Sequence, residues 1–276
     1  MRPVLFEAPW GPINAYGTLI LLGMLAAFPG VWWDARQRGL PLVAVLDLYL
    51  AVFIGAFAGG KIPVWLSSDG GLGATHGFVF YGSAAGAGLA LWWVARRYRV
   101  SPGIVVTVAL TWIAICQAFG RLGCHLAGCC YGAPSTRPGF GLAYPAGSIA
   151  YAERIATGLA NPGNVTPPLH PVQLYEAAGL VLVAGFVIAS RRRRGPRPSF
   201  QPAFAWALGY GGLRSITELW RAPSDRTFVW PAAHADVASL LALPPDHQLW
   251  LSGSQIVSIG LVTVGIIGLW YDKRRH

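Results

Sequence analysis

Seven apolar runs of eighteen to twenty-four residues divide the chain: Ile13–Trp33, Val43–Trp65, Phe78–Ala95, Gly103–Leu126, Val172–Ala189, Pro202–Trp220 and Ser252–Tyr271. A helix needs about 20 apolar residues to cross hydrocarbon, so each run predicts a membrane span. The fold expected is all-α, a polytopic integral membrane protein with seven transmembrane helices. The sixth run is the least apolar, because Arg214, Thr217 and Glu218 interrupt it. Only Arg2 precedes the first run, which is longer than a signal-peptide core, so it reads as a retained span. Residues 1–276 read as a single transmembrane domain, with loop regions around 127–171 and 221–251. The first of these is rich in Gly, Pro and Asn, and connections of such length are usually functional or mobile.

Charge gives the runs a direction. Only 12% of residues are charged and 54% are hydrophobic, about half the charge of an ordinary soluble domain. The net charge of +10 sits in short loops at Arg36 and Arg38, Arg96 to Arg99, Arg191 to Arg197 and Lys273 to Arg275. These are alternate loops, a distribution that argues against nucleic acid as a partner. The positive-inside rule makes them cytoplasmic, which places the N-terminus outside and the C-terminus inside. The run Arg191–Arg194 reads as a topology anchor attracted to anionic lipid.

With that orientation, polar residues from six runs converge at the outer level. Arg121 lies near the far end of the fourth run, in Gly120-Arg121-Leu122-Gly123-Cys124-His125-Leu126-Ala127-Gly128-Cys129-Cys130-Tyr131-Gly132. A guanidinium in hydrocarbon costs on the order of 2.5 to 3.5 kcal/mol, so it needs a partner or a polar cavity. Lys61 ends the second run, and Arg214 lies roughly 18 Å along the sixth at 1.5 Å per residue. Arg214, Glu218 and Arg221 are spaced to share one helix face. Gln173 and Glu176 open the fifth run after His170, and Tyr16 and Tyr81 open the first and third. The inner halves are nearly all apolar. A cavity lined by Arg121, Arg214, Lys61 and Arg221 suits an anion such as lipid phosphate. The plainer alternative is that Glu176, Glu218 and the arginines pair with one another to hold helices together.

Cys124, His125, Cys129 and Cys130 lack the usual spacing of metal ligands, and adjacent Cys129 and Cys130 would diverge on a helix. No metal or other cofactor is expected. Close packing by small side chains, a disulfide from Cys124 to Cys129 or Cys130, and a reactive thiol are the readings left open for these residues.

Four segments carry a family likeness: Gly120-Arg121-Leu122-Gly123 closed by Gly132; His170-Pro171-Val172-Gln173-Leu174-Tyr175-Glu176; Arg214 to Arg221 with Pro223 and Asp225; and Gly253-Ser254-Gln255-Ile256-Val257-Ser258. Ala15-Tyr16-Gly17 and Gly59-Gly60-Lys61 are weaker echoes. In this order they resemble the prolipoprotein diacylglyceryl transferases of the bacterial inner membrane. The resemblance implies seven spans and transfer of the diacylglyceryl group of phosphatidylglycerol to the thiol of a lipobox cysteine in a prolipoprotein signal peptide, with release of glycerol phosphate. It implies that Arg121 and Arg214 are catalytic, that Arg121 contacts the lipid head group and that Glu218 is the partner of Arg214. Lipid-binding roles are expected for Arg121, Gly123, Gly132, Lys61, Tyr16, His170, Gln173, Glu176, Glu218 and Arg221. The chain departs from the family pattern where two amides and a carboxylate are replaced across Cys124 to Cys129, where Lys61 stands for an arginine, and where Tyr81 stands for a histidine that serves as base. Tyr81 is the expected catalytic position there. The alternatives are a phospholipid-binding protein without catalysis and a transferase with another acceptor.

Overall fold

A computed structural model describes residues 4–9, 11–67, 80–159, 165–192, 200–223 and 226–274. The chain is mostly helical. Its elements run β1 (Val4–Ala8), β2 (Gly11–Asn14), α1 (Ala15–Gln37), α2 (Leu42–Ser67), α3 (Phe80–Arg97), α4 (Pro102–Ala127), α5 (Ile149–Ala156), α6 (Val172–Arg192), α7 (Gln201–Thr217), β3 (Phe228–Ala233), α8 (Ala235–Leu240), β4 (Gln248–Ser252) and α9 (Gly253–Arg274). The seven long helices coincide with the seven apolar runs, and α1, α2, α4, α6 and α9 are long and apolar enough to cross a membrane. Their outer faces expose large apolar side chains such as Leu25, Phe53, Leu182 and Ile267. Water does not reward such faces, and lipid accepts them.

The all-α expectation needs correction at the loops. Two antiparallel hairpins, β1–β2 and β3–β4, form outside the long helices. Ile13, expected as the first residue of a span, belongs to β2, where it pairs with Phe6. Pro12 lacks a backbone N–H and helps hold this stretch out of the helix, which starts at Ala15. The sixth run is also shorter than expected. α7 stops at Thr217, and Glu218–Trp220 tighten into a 3₁₀ turn.

The chain divides into two compact units. The second comprises residues 28–112 and 191–203. Its core gathers Val31, Ala35, Val45, Leu48, Val94, Val105 and Val108. α2 and α3 cross at glycines, where a Cβ on Gly59 would lie 2.1 Å from the Gly82 carbonyl oxygen, the small-residue contact that lets membrane helices approach. This unit also buries charge. Asp34 is fully enclosed, is held by both terminal nitrogens of Arg191, and accepts from Trp112 Nε1 at 2.8 Å. Arg38 NH1 lies 3.7 Å from Asp34 Oδ1. Arg191, expected as a lipid-facing anchor, is therefore half-buried in an ion pair, and this end of the helices is less apolar than the sequence suggests.

The first unit comprises residues 1–27, 113–190 and 204–276. Ala114, Ala118, Leu180, Val183, Ala184, Val187 and Ala205 join α4, α6 and α7 in one core. The connection from 128 to 171 is folded over its described residues. Leu142 and Leu169 exchange backbone hydrogen bonds, Gly132 N–H donates to the His170 carbonyl, and Ala133 N–H donates to that of Trp220. Tyr131, Tyr144, Ala150, Leu169 and Ala222 form a small core beneath it.

Candidate active site

The first unit brings five of the expected residues into one ionic network. Glu176, one turn into α6, receives Arg121 Nε at 2.7 Å on Oε2. Its Oε1 faces Arg214 NH1 at 3.3 Å and Arg221 NH1 at 3.7 Å, and Thr217 donates its hydroxyl to the same oxygen at 3.4 Å. Glu218 is fully buried and pairs with Arg214 NH1 at 2.7 Å through Oε2. Its Oε1 accepts from Ser252 Oγ at 2.8 Å and lies 3.6 Å from Arg226 Nε. Arg214 also donates to Ser254 Oγ at 3.3 Å. These six charged side chains set four guanidinium groups against two carboxylates, which leaves two positive charges in a largely desolvated cluster.

The mutual pairing raised as the plainer alternative is thus present, and the excess of cations accompanies it. One correction concerns Arg221. It was expected on the helix face of Arg214 and Glu218, but the helix has ended and Arg221 is extended, at φ −69° and ψ 149°. The chain leaves the helix because residues 220–221 pair with 132–133. Gly132 bridges Arg221, and a Cβ on Gly132 would meet the Trp220 carbonyl oxygen at 2.4 Å and the His170 Cβ at 2.8 Å. Arg221 reaches Glu176 from this strand-like segment.

Arg226, Ser252 and Ser254 complete the network, and no role was expected for Arg226 or Ser252. Arg226 lies between helices and has no periodic signal. It enters because the β3–β4 hairpin presents Gln248 and Leu249 carbonyls to it at 2.6 and 3.0 Å. Burial pulls its pKa down to about 10, against the opposing pull of Glu218. His247 Nε2 lies 2.9 Å from the Leu219 carbonyl oxygen, and burial lowers its pKa.

The other expected residues have distinct places. Gln173 is fully buried, donating to the Cys129 carbonyl at 2.6 Å while its oxygen faces the Tyr144 hydroxyl at 3.3 Å. Burial pushes the Tyr144 pKa up to about 12. His170 is buried with Nε2 on the Ala242 carbonyl at 3.0 Å and Nδ1 on the Tyr175 hydroxyl at 3.1 Å, and burial lowers its pKa. Tyr16, at the start of α1, is partly exposed, and Gly123 of α4 lets it approach, since a Cβ there would lie 3.1 Å from Tyr16 Cα. Lys61 is half-buried on α2 in the second unit. The Tyr81 side chain and Asp225 lie outside the described residues.

The cysteines correct another expectation. α4 ends at Ala127, Gly128 takes φ +73° and Cys130 takes φ +57°. Cys129 N–H returns to the Cys124 carbonyl at 3.1 Å, and Gly128 N–H bonds that of His125, a left-handed helix cap. This turn keeps Cys129 and Cys130 from diverging as they would on a helix. The sulfurs of Cys124, Cys129 and Cys130 lie within 4.8 Å of one another.

Comparison with known proteins places the chain in a family. The family model described as prolipoprotein diacylglyceryl transferase matches residues 3–271. A phosphatidylglycerol–prolipoprotein diacylglyceryl transferase of Clostridium tetani is 27% identical over 100% of this chain and 99% of that protein. One from Serratia proteamaculans is 28% identical, with 99% and 94% covered. A protein of Clostridium perfringens described as transferase 2 of the same kind is 31% identical over 64% of this chain and 67% of its own length. The match runs through every segment that builds the Glu176–Glu218 network, and the chain belongs to the prolipoprotein diacylglyceryl transferase family.

Proposed function

We propose that the protein transfers the diacylglyceryl group of phosphatidylglycerol to the thiol of a lipobox cysteine in a prolipoprotein, releasing glycerol phosphate. The observation that carries this reading is the cluster of four arginines sharing two carboxylates, within a chain that matches the transferase family from end to end. The reaction places a leaving phosphomonoester beside the incoming sulfur. Arg121 and Arg214 suit that leaving group, since guanidinium nitrogens match phosphate oxygens and a desolvated site strengthens their pull. Glu176 keeps these cations in place before lipid arrives and gives up part of its share when phosphate enters.

In this reading the seven long helices all cross the bacterial inner membrane, with the N-terminus outside and the arginine cluster toward the outer leaflet. Lys61 and Tyr81 retain their lipid-binding and catalytic assignments on the family resemblance alone. Gly123 and Gly132 act by letting chain segments approach, and Gln173 and His170 by fixing the segments beside the lipid.

The test is transfer from labelled phosphatidylglycerol to a lipobox peptide by purified protein in detergent. A thioether-linked diacylglyceryl peptide supports the reading. Tight binding of the lipid with no product removes it in favour of a lipid-binding descendant. The changed signature across Cys124 to Cys129 is the feature that favours this second reading.

A further inference from the structure

Three sulfurs from the Cys124–Cys130 turn converge, and the backbone is bent to bring them there. Cys130 holds a left-handed conformation that costs a residue with a Cβ on the order of 1 to 2 kcal/mol. Such strain persists where the surroundings impose it. Here Gln173 anchors the Cys129 carbonyl at 2.6 Å. Gln173 lies one helical turn before Glu176 on α6, and Arg121 lies one turn before Cys124 on α4. The thiol cluster is therefore built onto the same two helices that join Arg121 to Glu176.

We infer that Cys124, Cys129 and Cys130 form a three-sulfur site for one zinc ion, whose fourth position receives the acceptor thiol. Sulfurs of a tetrahedral zinc site with Zn–S near 2.3 Å stand about 3.8 Å apart. The observed limit of 4.8 Å is within about 1 Å of that spacing. The donors are soft thiols, which select zinc or copper(I) over magnesium or calcium. The neighbouring His125 does not complete the set, because its ring lies against Tyr144 with centroids 6.4 Å apart. Three protein ligands and one open position are the arrangement of catalytic zinc.

The inference rests on the transferase reading and answers a question it raises. A thiol becomes a strong nucleophile only as thiolate, and this chain has Tyr81 where the family's histidine base is expected. Coordination removes the need for a base, because a metal deprotonates a bound thiol outright. The acceptor thiol loses its proton on binding zinc, and its sulfur pair forms a bond to the glycerol carbon that bears the phosphate. The carbon–oxygen bond breaks, its electron pair leaves with glycerol phosphate, and that group takes up the proton. The thioether, a weak ligand, is released.

The experiment is metal analysis of protein purified in detergent without chelator, followed by exchange to cobalt(II). Zinc at one per chain is expected, with a thiolate-to-cobalt charge-transfer band after exchange. Cys124→Ser, Cys129→Ser and Cys130→Ser each lose the band. Cys116→Ser keeps it, because Cys116 sits within α4 with its sulfur on the Gly23 carbonyl. A lipobox peptide shifts the cobalt spectrum and its serine counterpart does not. Should the serine variants misfold, the wild-type thiols serve instead: they resist maleimide until zinc is chelated. Metal-free protein, copper in place of zinc, a disulfide among the three, or a spectrum indifferent to peptide overturns the inference. Transfer assayed on the same samples separates the two readings. Full turnover by metal-free protein sinks the zinc site and leaves the transferase, whereas zinc-loaded, peptide-binding protein without turnover sinks the transferase and leaves the site.

Discussion

Arg121 on α4 and Glu176 on α6 are joined by a 2.7 Å ion pair, and Glu176 holds two further arginines besides. The pair is unequal in consequence. Removing Arg121 leaves Glu176 with Arg214 and Arg221, whereas removing Glu176 takes away the carboxylate that three guanidinium groups share, with Glu218 still on Arg214. Breaking a buried ion pair costs roughly 3 to 5 kcal/mol through the charge left behind. Glu176→Ala is expected to lower thermal stability in detergent by an amount of that order, and Arg121→Ala by clearly less. Diacylglyceryl transfer should fall about 10²-fold or more in Arg121→Ala, the scale of losing one preorganised charge donor. An Arg121→Ala protein with unchanged turnover refutes the role given to Arg121.

Gly132 is required where three segments meet. Adding a methyl group in Gly132→Ala brings carbon to 2.4 Å from the Trp220 oxygen, a backbone atom that cannot rotate away. Overpacking of this kind costs roughly 1 to 3 kcal/mol. The loss should appear as faster hydrogen exchange at Ala133 and His170, whose N–H groups bridge these segments.

The second unit offers a separate check of buried charge. Asp34→Asn leaves Arg191 and Arg38 without their carboxylate and should destabilise by roughly 3 to 5 kcal/mol. Arg191→Met combined with Asp34→Leu should recover part of that loss, since apolar replacement of a buried pair is often neutral while Arg38 still loses its carboxylate. With Arg191→Met and Asp34→Leu also measured singly, a double variant as unstable as their sum would show that the pair is not coupled.

Acid should loosen the β3–β4 region. His247 is kept neutral by burial, so its folded pKa lies below the unfolded value of about 6.5. The unfolded chain then binds its proton first as pH falls. Stability from this group is fully present above about pH 6.5 and is lost as pH drops through the folded pKa. His170, also lowered by burial, acts with the same sign. Protection from exchange at residues 248–252, taken relative to the intrinsic rate at each pH, should fall between about pH 7 and pH 5, and His247→Asn should reduce that fall. A difference in protection between wild type and variant that does not change with pH would contradict the assignment.

The helices were legible because burial in lipid demands long apolar runs, and no tertiary context changes that demand. Ends were less legible. α7 was read through to Trp220, but the competition of residues 132–133 for the Trp220 and Arg221 backbone ends it at Thr217. The hairpins were missed because four to six residues of strand carry no signal that stands out beside a twenty-residue run.

For the site, the sequence alone determined that Arg121, Glu176, Arg214, Glu218 and Arg221 would lie near one another, since charge in hydrocarbon must find partners. It could not determine who pairs with whom. Arg226 and Ser252 reach Glu218 only because β3 and β4 fold back over the end of α7, and Arg191 reaches Asp34 across 157 positions of chain. The three thiols likewise converge through two left-handed residues at the end of α4. Hydrophobic length acts locally and is written in consecutive residues. Ionic and thiol partnerships act over a few ångströms between distant segments, so only the tertiary structure decides them.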